Sequence, residues 1–202
     1  MFSFTRLRGA DPSLGVEMSS TGEVACFGID SHEAFIQSML STGFKLPAKT
    51  GTILLSIATE ELRNEFLDAA RILLKLEYKL MATPGTAKYF REYGIDVVEV
   101  SKPVDEDDVS QCNMTGAHSA LKVIHDGEID MVINISEGSS RKDDITGGYL
   151  MRRAAADFGV SLITNVKCAV KLVECLDRGY DKFSPKHIGQ FYKLPTIGWS
   201  KN

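Results

Sequence analysis

From about residue 50 onward, apolar positions along the chain switch between two spacings. Short, nearly continuous runs occur at TILLSI (52–57), YKLMA (78–82), IDVVEV (95–100), IDMVINI (129–135) and VSLITN (160–165). Unbroken apolarity over such a length predicts parallel strands covered on both faces, because a strand with one wet face alternates instead. Between the runs, apolar residues recur at helical spacing. Thr59 predicts an N-cap, with Glu60 and Glu61 in the first turn, where the helix dipole favours acids. Leu62, Phe66, Ala69, Ala70 and Leu73 then fall on one stripe. The same spacing predicts helices over 86–93, 115–126, 147–158 and 166–177, stopped by Gly94, Gly127, Gly159 and Gly179. Five β–α repeats predict an α/β fold: a parallel sheet with helices on both faces.

Two regions stand outside the repeat. Residues 1–45 contain MSSTGEVACFG, then DSHEAFIQSMLSTG, which predicts one amphipathic helix capped by Asp30 and Glu33. LPAKTG (46–51) reads as a linker into the first strand. The tail beyond Gly179 is polar with scattered aromatics and predicts packing on a sheet edge rather than another domain.

Composition narrows the function classes. With 202 residues, 44% hydrophobic and 25% charged, the chain has the make-up of an ordinary globular α/β domain with a short extension. No apolar stretch approaches the roughly 20 residues of a membrane helix, and the N-terminus lacks the apolar centre of a secretion signal. A net charge of −4 excludes an extended nucleic-acid surface. Any anion site must therefore be a local pocket. Cys26, Cys112, Cys168 and Cys175 lie far apart with no C-x-x-C, which predicts buried thiols in a reducing compartment. His118 and His125 lack a cysteine or carboxylate pattern beside them and give no metal site.

In open α/β sheets, ligands bind beyond the carboxyl ends of the strands. Those ends carry Ser56, with Arg63 further along the next helix; Thr83, Gly85 and Thr86; Ser101 and Lys102; Asn134, Ser136, Ser139 and Ser140; and Thr164 with Asn165. Taken singly, Thr86 reads as a cap and Lys102 or Arg63 as a solvated cation. Five strand ends that all present donors, with two cations among them, point to a phosphate or carboxylate pocket. Catalytic equipment is missing: there is no GxSxG elbow, HExxH or P-loop. The acids at 105–108, and Asp143 with Asp144 behind Arg141 and Lys142, read as exposed loops.

The stretch from about Gly51 to Cys175 resembles the methylglyoxal-synthase-like domain family. The likeness is carried by ATPGT (82–86), the SK pair at 101–102, DGEIDMVIN (126–134) and YLMRRAAADFGVSLITN (149–165). RLRGADPSLGVEMSSTGEVACFG (6–28) resembles the closing segment of the second ATP-grasp unit of the carbamoyl-phosphate synthase family, where the two pieces adjoin in this order. The resemblance implies a three-layer α/β/α sandwich on a five-stranded parallel sheet. It implies an ATP-grasp remnant over 1–45, a linker over 46–51 and a regulatory domain over 52–202.

It also implies an allosteric role in a glutamine-using, cytoplasmic synthase of pyrimidine and arginine precursors. The effector would be UMP, UDP, UTP, IMP or phosphoribosyl pyrophosphate, or N-acetylglutamate in the mitochondrial urea-cycle form. Motif by motif, the effector residues fall on Arg63, Thr83, Gly85, Thr86, Lys102, Asn134 and Ser136. Arg63 stands where the family has lysine and keeps the charge. Together with Lys102 it favours a phosphorylated effector over a small amide acid. The loop SEGSSRKDD (136–144) departs from the asparagine-rich loop of the acetylglutamate-responsive form, and Glu137 opposes a multiply charged anion unless it turns away or binds a ribose. Implied partners are the rest of the synthase, its glutaminase and a further copy at an oligomer contact. ATP, magnesium, bicarbonate and glutamine would serve the parent enzyme and no cofactor this chain.

Two other readings compete. A methylglyoxal synthase needs a carboxylate base to take a proton beside a carbonyl. The family's base position falls on Ala117 in MTGAHS, which cannot accept a proton, and the HPKVHGG-type segment of the purine cyclohydrolase relative is absent. An assembly-only domain would not respond to effectors at all.

Overall fold

The computed structural model describes residues 24–103, 119–137 and 147–179. In chain order these form α1 (Ser31–Ser41), β1 (Thr52–Ile57), α2 (Glu60–Lys75), β2 (Lys79–Ala82), α3 (Pro84–Glu92), β3 (Val98–Glu99), α4 (Ala120–His125), β4 (Met131–Ile135), α5 (Gly147–Asp157), β5 (Ser161–Ile163) and α6 (Val166–Asp177). The strands make one sheet in the order β3-β2-β1-β4-β5, and every pairing is parallel. Strand order reverses between β1 and β4, where Ser56 pairs with Asn134 and Ile57 with Ile135.

Side-chain alternation along the strands builds a core on each face. Ile53, Leu55 and Ile57 of β1, with Met131, Ile133 and Ile135 of β4, meet α2, α3 and α6 on one side. Leu54 and Val132 point to the other side and pack with α4 and α5. This is the expected three-layer sandwich. Thr59 caps α2 as expected, accepting from the Leu62 N–H, and Asn165, expected only as a strand-end donor, accepts from the Cys168 N–H at the start of α6. Gly94, Gly127, Gly159 and Gly179 all take positive φ where their helices stop.

The sequence reading fails at the third strand. The run 95–100 is expected to be a strand buried on both faces, yet only Val98 and Glu99 pair, and both are exposed. Its position explains this: β3 is an edge strand with a single neighbour. The Arg91 side chain covers the edge, donating from Nε and Nη2 to the Val97 carbonyl at 3.3 and 3.0 Å, while Nη1 pairs with Glu99 at 2.9 Å.

Helix α1 is capped by Asp30, which accepts from the His32 and Glu33 N–H groups, and it packs on α6. Ile36 has no exposed surface, and Phe35, Met39 and Leu40 pack against the same core as β1 and β4. His32 Nε2 lies 2.9 Å from Glu174 and 2.8 Å from Lys171 Nζ, fastening the two helices. The segment from Asp30 onward is part of the domain's packing. Of the thiols expected to be buried, among the described residues only Cys175 proves so, while Cys168 is exposed. The polar tail, Ala117, Cys112, His118, Ser139, Ser140 and the two acidic loops lie outside the described residues.

Candidate effector site

The site is built where β1 and β4 part. Helix α3 begins at Pro84 rather than 86, and its N-cap Thr83 gives it no side-chain cap. The Thr83 hydroxyl instead stands 3.4 Å from Ser56 Oγ and 3.4 Å from Thr86 Oγ1. The first turn of α3 holds no acid, and an ideal Cβ on Gly85 would lie 3.3 Å from Arg63 Nη2. Backbone N–H groups at a helix start, left without a capping oxygen and flanked by a guanidinium, form an anion-accepting arrangement.

Arg63 is held in place from below. Its Nε donates to the Ile57 carbonyl at 2.9 Å and its Nη2 to the Ala58 carbonyl at 2.8 Å. Two of its five N–H groups therefore close the end of β1, and the charge is brought beside Gly85. Tyr89 packs nearby, with its phenol pushed up to about 12 by burial first and by Tyr93 next, so it stays neutral at the edge of the site.

Thr86 is buried, accepts from the Ile57 N–H at 3.0 Å and donates to the Ile57 carbonyl at 3.2 Å. Its hydroxyl ties α3 to β1. Asn134 joins the row through its register with Ser56, on the α4–α5 face of the sheet. Its Oδ1 accepts from Arg152 Nη1 at 2.9 Å. Among the described residues two buried side-chain atoms have no partner, Asn134 Nδ2 and Ser119 Oγ.

The structure thus brings Arg63, Thr83, Gly85 and Thr86 together, with Asn134 alongside. Lys102 and Ser136 are exposed just past their strands. Lys102 lies against the start of α5, its Cγ 2.9 Å from where a Cβ on Gly147 would stand. Sequence reasoning misses Arg152, 3% exposed on α5. The signal available is a cation between Met151 and Ala155 on the apolar stripe of a helix, disguised by the adjacent Arg153. Two further concavities are formed by the described residues, the second lined by Pro84 beside Thr83. One of about 250 Å³ is formed by Thr42–Lys45 with the α5–β5 turn, and one of about 580 Å³ lies between α3 and Glu99.

Residues 65–164 match the family model described as an MGS-like domain. That segment belongs to the MGS-like domain family. Curated relatives cover most of the chain. It is 46% identical over 182 residues to the multifunctional protein URA2 of Saccharomyces cerevisiae, spanning 88% of this chain and 8% of that protein. It is 43% identical to the multifunctional protein CAD of Squalus acanthias, spanning 87% of this chain and 8% of that one. It is 41% identical to the mitochondrial carbamoyl-phosphate synthase (ammonia) of Aquarana catesbeiana, spanning 87% and 11%. The chain therefore corresponds to about a tenth of the length of such relatives, and its MGS-like fold is the five-stranded parallel sheet described above.

Proposed function

We propose that this chain is the allosteric domain of a glutamine-dependent carbamoyl-phosphate synthase. In this reading it binds a phosphorylated effector at the ends of β1, β2 and β4. The observation that carries the proposal is the start of α3. There the N-terminal backbone lacks a side-chain cap and any acid, and it lies beside the Arg63 guanidinium that closes the end of β1. Phosphate satisfies such a place through several N–H donors at once, with the helix dipole and the cation adding to the attraction.

UMP, UDP, UTP, IMP and phosphoribosyl pyrophosphate share that group. N-acetylglutamate, the alternative effector, offers two carboxylates and an amide but no phosphate. Lys102, Asn134 and Ser136 complete the reading as further donors, and Glu137 bounds the charge the site tolerates. Residues 1–45 are read as the end of an ATP-grasp unit, so α1 would carry the effector's signal toward the catalytic body through its packing on α6. The chain itself supplies no catalytic group in this reading. ATP, magnesium, bicarbonate and glutamine act elsewhere in the parent, with the glutaminase and a further copy of the synthase as partners. Scattered cysteines favour the cytoplasm, and the mitochondrial relative favours the alternative.

The test is carbamoyl-phosphate synthesis by the parent synthase at subsaturating ATP, with UTP, phosphoribosyl pyrophosphate or N-acetylglutamate added. Couplings between sites are typically about 5–150-fold, and a change of that order with a phosphorylated compound is expected. No response to any of the three would leave an assembly-only domain. Phosphate release from dihydroxyacetone phosphate by the isolated chain would overturn its non-catalytic reading.

A further inference from the structure

We infer that Arg152 is a positioning residue of the effector site: it turns Asn134 so that the amide offers a donor, and only a donor, to an oxygen of the bound effector. This rests on the effector reading above and adds the group that fixes its polarity. Arg152 lies on the stripe of α5 that meets the sheet, among buried Leu150, Met151 and Ala155. A guanidinium cannot shed its charge, so burying one is costly unless its donors find acceptors. One acceptor is the Asn134 side-chain oxygen, 2.9 Å from Nη1.

That contact decides which way the amide faces. Turned over, Asn134 would set its NH₂ against a guanidinium N–H, donor against donor. The oxygen is therefore committed to Arg152, and Nδ2 becomes the free prong. Nδ2 is buried without a partner, on a residue 2% exposed at the last turn of the sheet before the mouth. A buried donor left unmade costs free energy that an apolar side chain of similar shape would avoid. An incoming acceptor recovers that cost. The register neighbour Ser56, with Thr83 beyond it, places Asn134 in the row of groups at the switch point. A positive charge behind the amide polarises it and strengthens the N–H toward an anionic oxygen. The pair would thus donate to a phosphoryl, carbonyl or hydroxyl oxygen and reject a ligand that presents only an N–H there.

The experiment is a ¹⁵N–¹H titration of the 202-residue chain with inorganic phosphate and then UMP. The Asn134 Nδ2H₂ signals are assigned by their loss in Asn134→Ser. They should shift on ligand addition and saturate together with the backbone amides of Gly85 and Thr86. In Arg152→Met the backbone spectrum should persist while the Nδ2H₂ pair no longer follows the ligand. The ligand's dissociation constant should rise roughly ten- to hundredfold, the factor that accompanies loss of one hydrogen bond to a charged group. Arg152→Lys keeps the charge and one donor, and should restore the shift. It also serves as the readout if the methionine variant fails to fold. If Nδ2H₂ stays still while Gly85 and Thr86 respond, a buried water satisfies the amide and Arg152 is structural, so this inference falls and the effector reading stands. If nothing responds to either ligand, both fall.

Discussion

Thr86 commits its hydroxyl to the fold. Its Oγ1 both accepts from and donates to Ile57, so Thr86→Val should strand a buried backbone N–H. The expected loss is about 1–3 kcal/mol of stability, read as a lower urea midpoint at unchanged slope. An unmoved midpoint would mean that another group replaces the hydroxyl. Cys175 gives a second prediction. Its thiol has no exposed surface, and burial pushes it up to about 11 from an ordinary 9.0. The neutral thiol favours the folded state at every pH below about 9, and that contribution is lost as pH rises through 9 toward 11. Iodoacetamide at pH 8 should therefore label exposed Cys168 and spare Cys175. Equal labelling would show that α6 opens readily.

Among the helices, the start of α5 is the tightest constraint near the site. A Cβ at Gly147 would stand 2.3 Å from the Pro103 carbonyl and 2.9 Å from Lys102 Cγ. The side chain can swing away, but the carbonyl cannot move without its backbone. Gly147→Ala should therefore cost about 1–3 kcal/mol through overpacking, seen as a lower melting temperature, and should displace Lys102. A melting curve matching the parent would place that loop elsewhere. These elements also show what the sequence reveals. The runs that become β1 and β4 are central strands, whose two-sided burial writes itself as unbroken apolarity. IDVVEV carries the same signature, yet its place at the edge depends on strand order, which no local pattern encodes. Thr83, Gly85 and Asn134 are legible because strand ends are. Arg152 is not, because Arg152 and Arg153 look alike in sequence and only the packing of α5 buries the first and leaves the second partly exposed.

Taken as one body, the molecule ties its first helix into the core that supports the site. Ile36 of α1 shares that core with Ile57, Phe66 and Leu172, so Ile36→Ala should cost about 2–5 kcal/mol and lower the midpoint of a single cooperative transition. If α1 were a loosely attached remnant, the main transition would stay put and only a weak early phase would move. In the proposed reading the site draws on two cations, Arg63 held at the end of β1 and Lys102 just past β3 against the start of α5. Calorimetric titration of UMP and phosphoribosyl pyrophosphate into the chain and into Lys102→Ala tests this directly. Lys102 is exposed and off the core, so the variant should fold normally. Losing a hydrogen bond to a charged group, worth about 1.5–3 kcal/mol, should raise the dissociation constant roughly ten- to hundredfold. If Lys102→Ala binds both compounds as tightly as the parent chain, or the parent chain binds neither, the effector site is not at these strand ends.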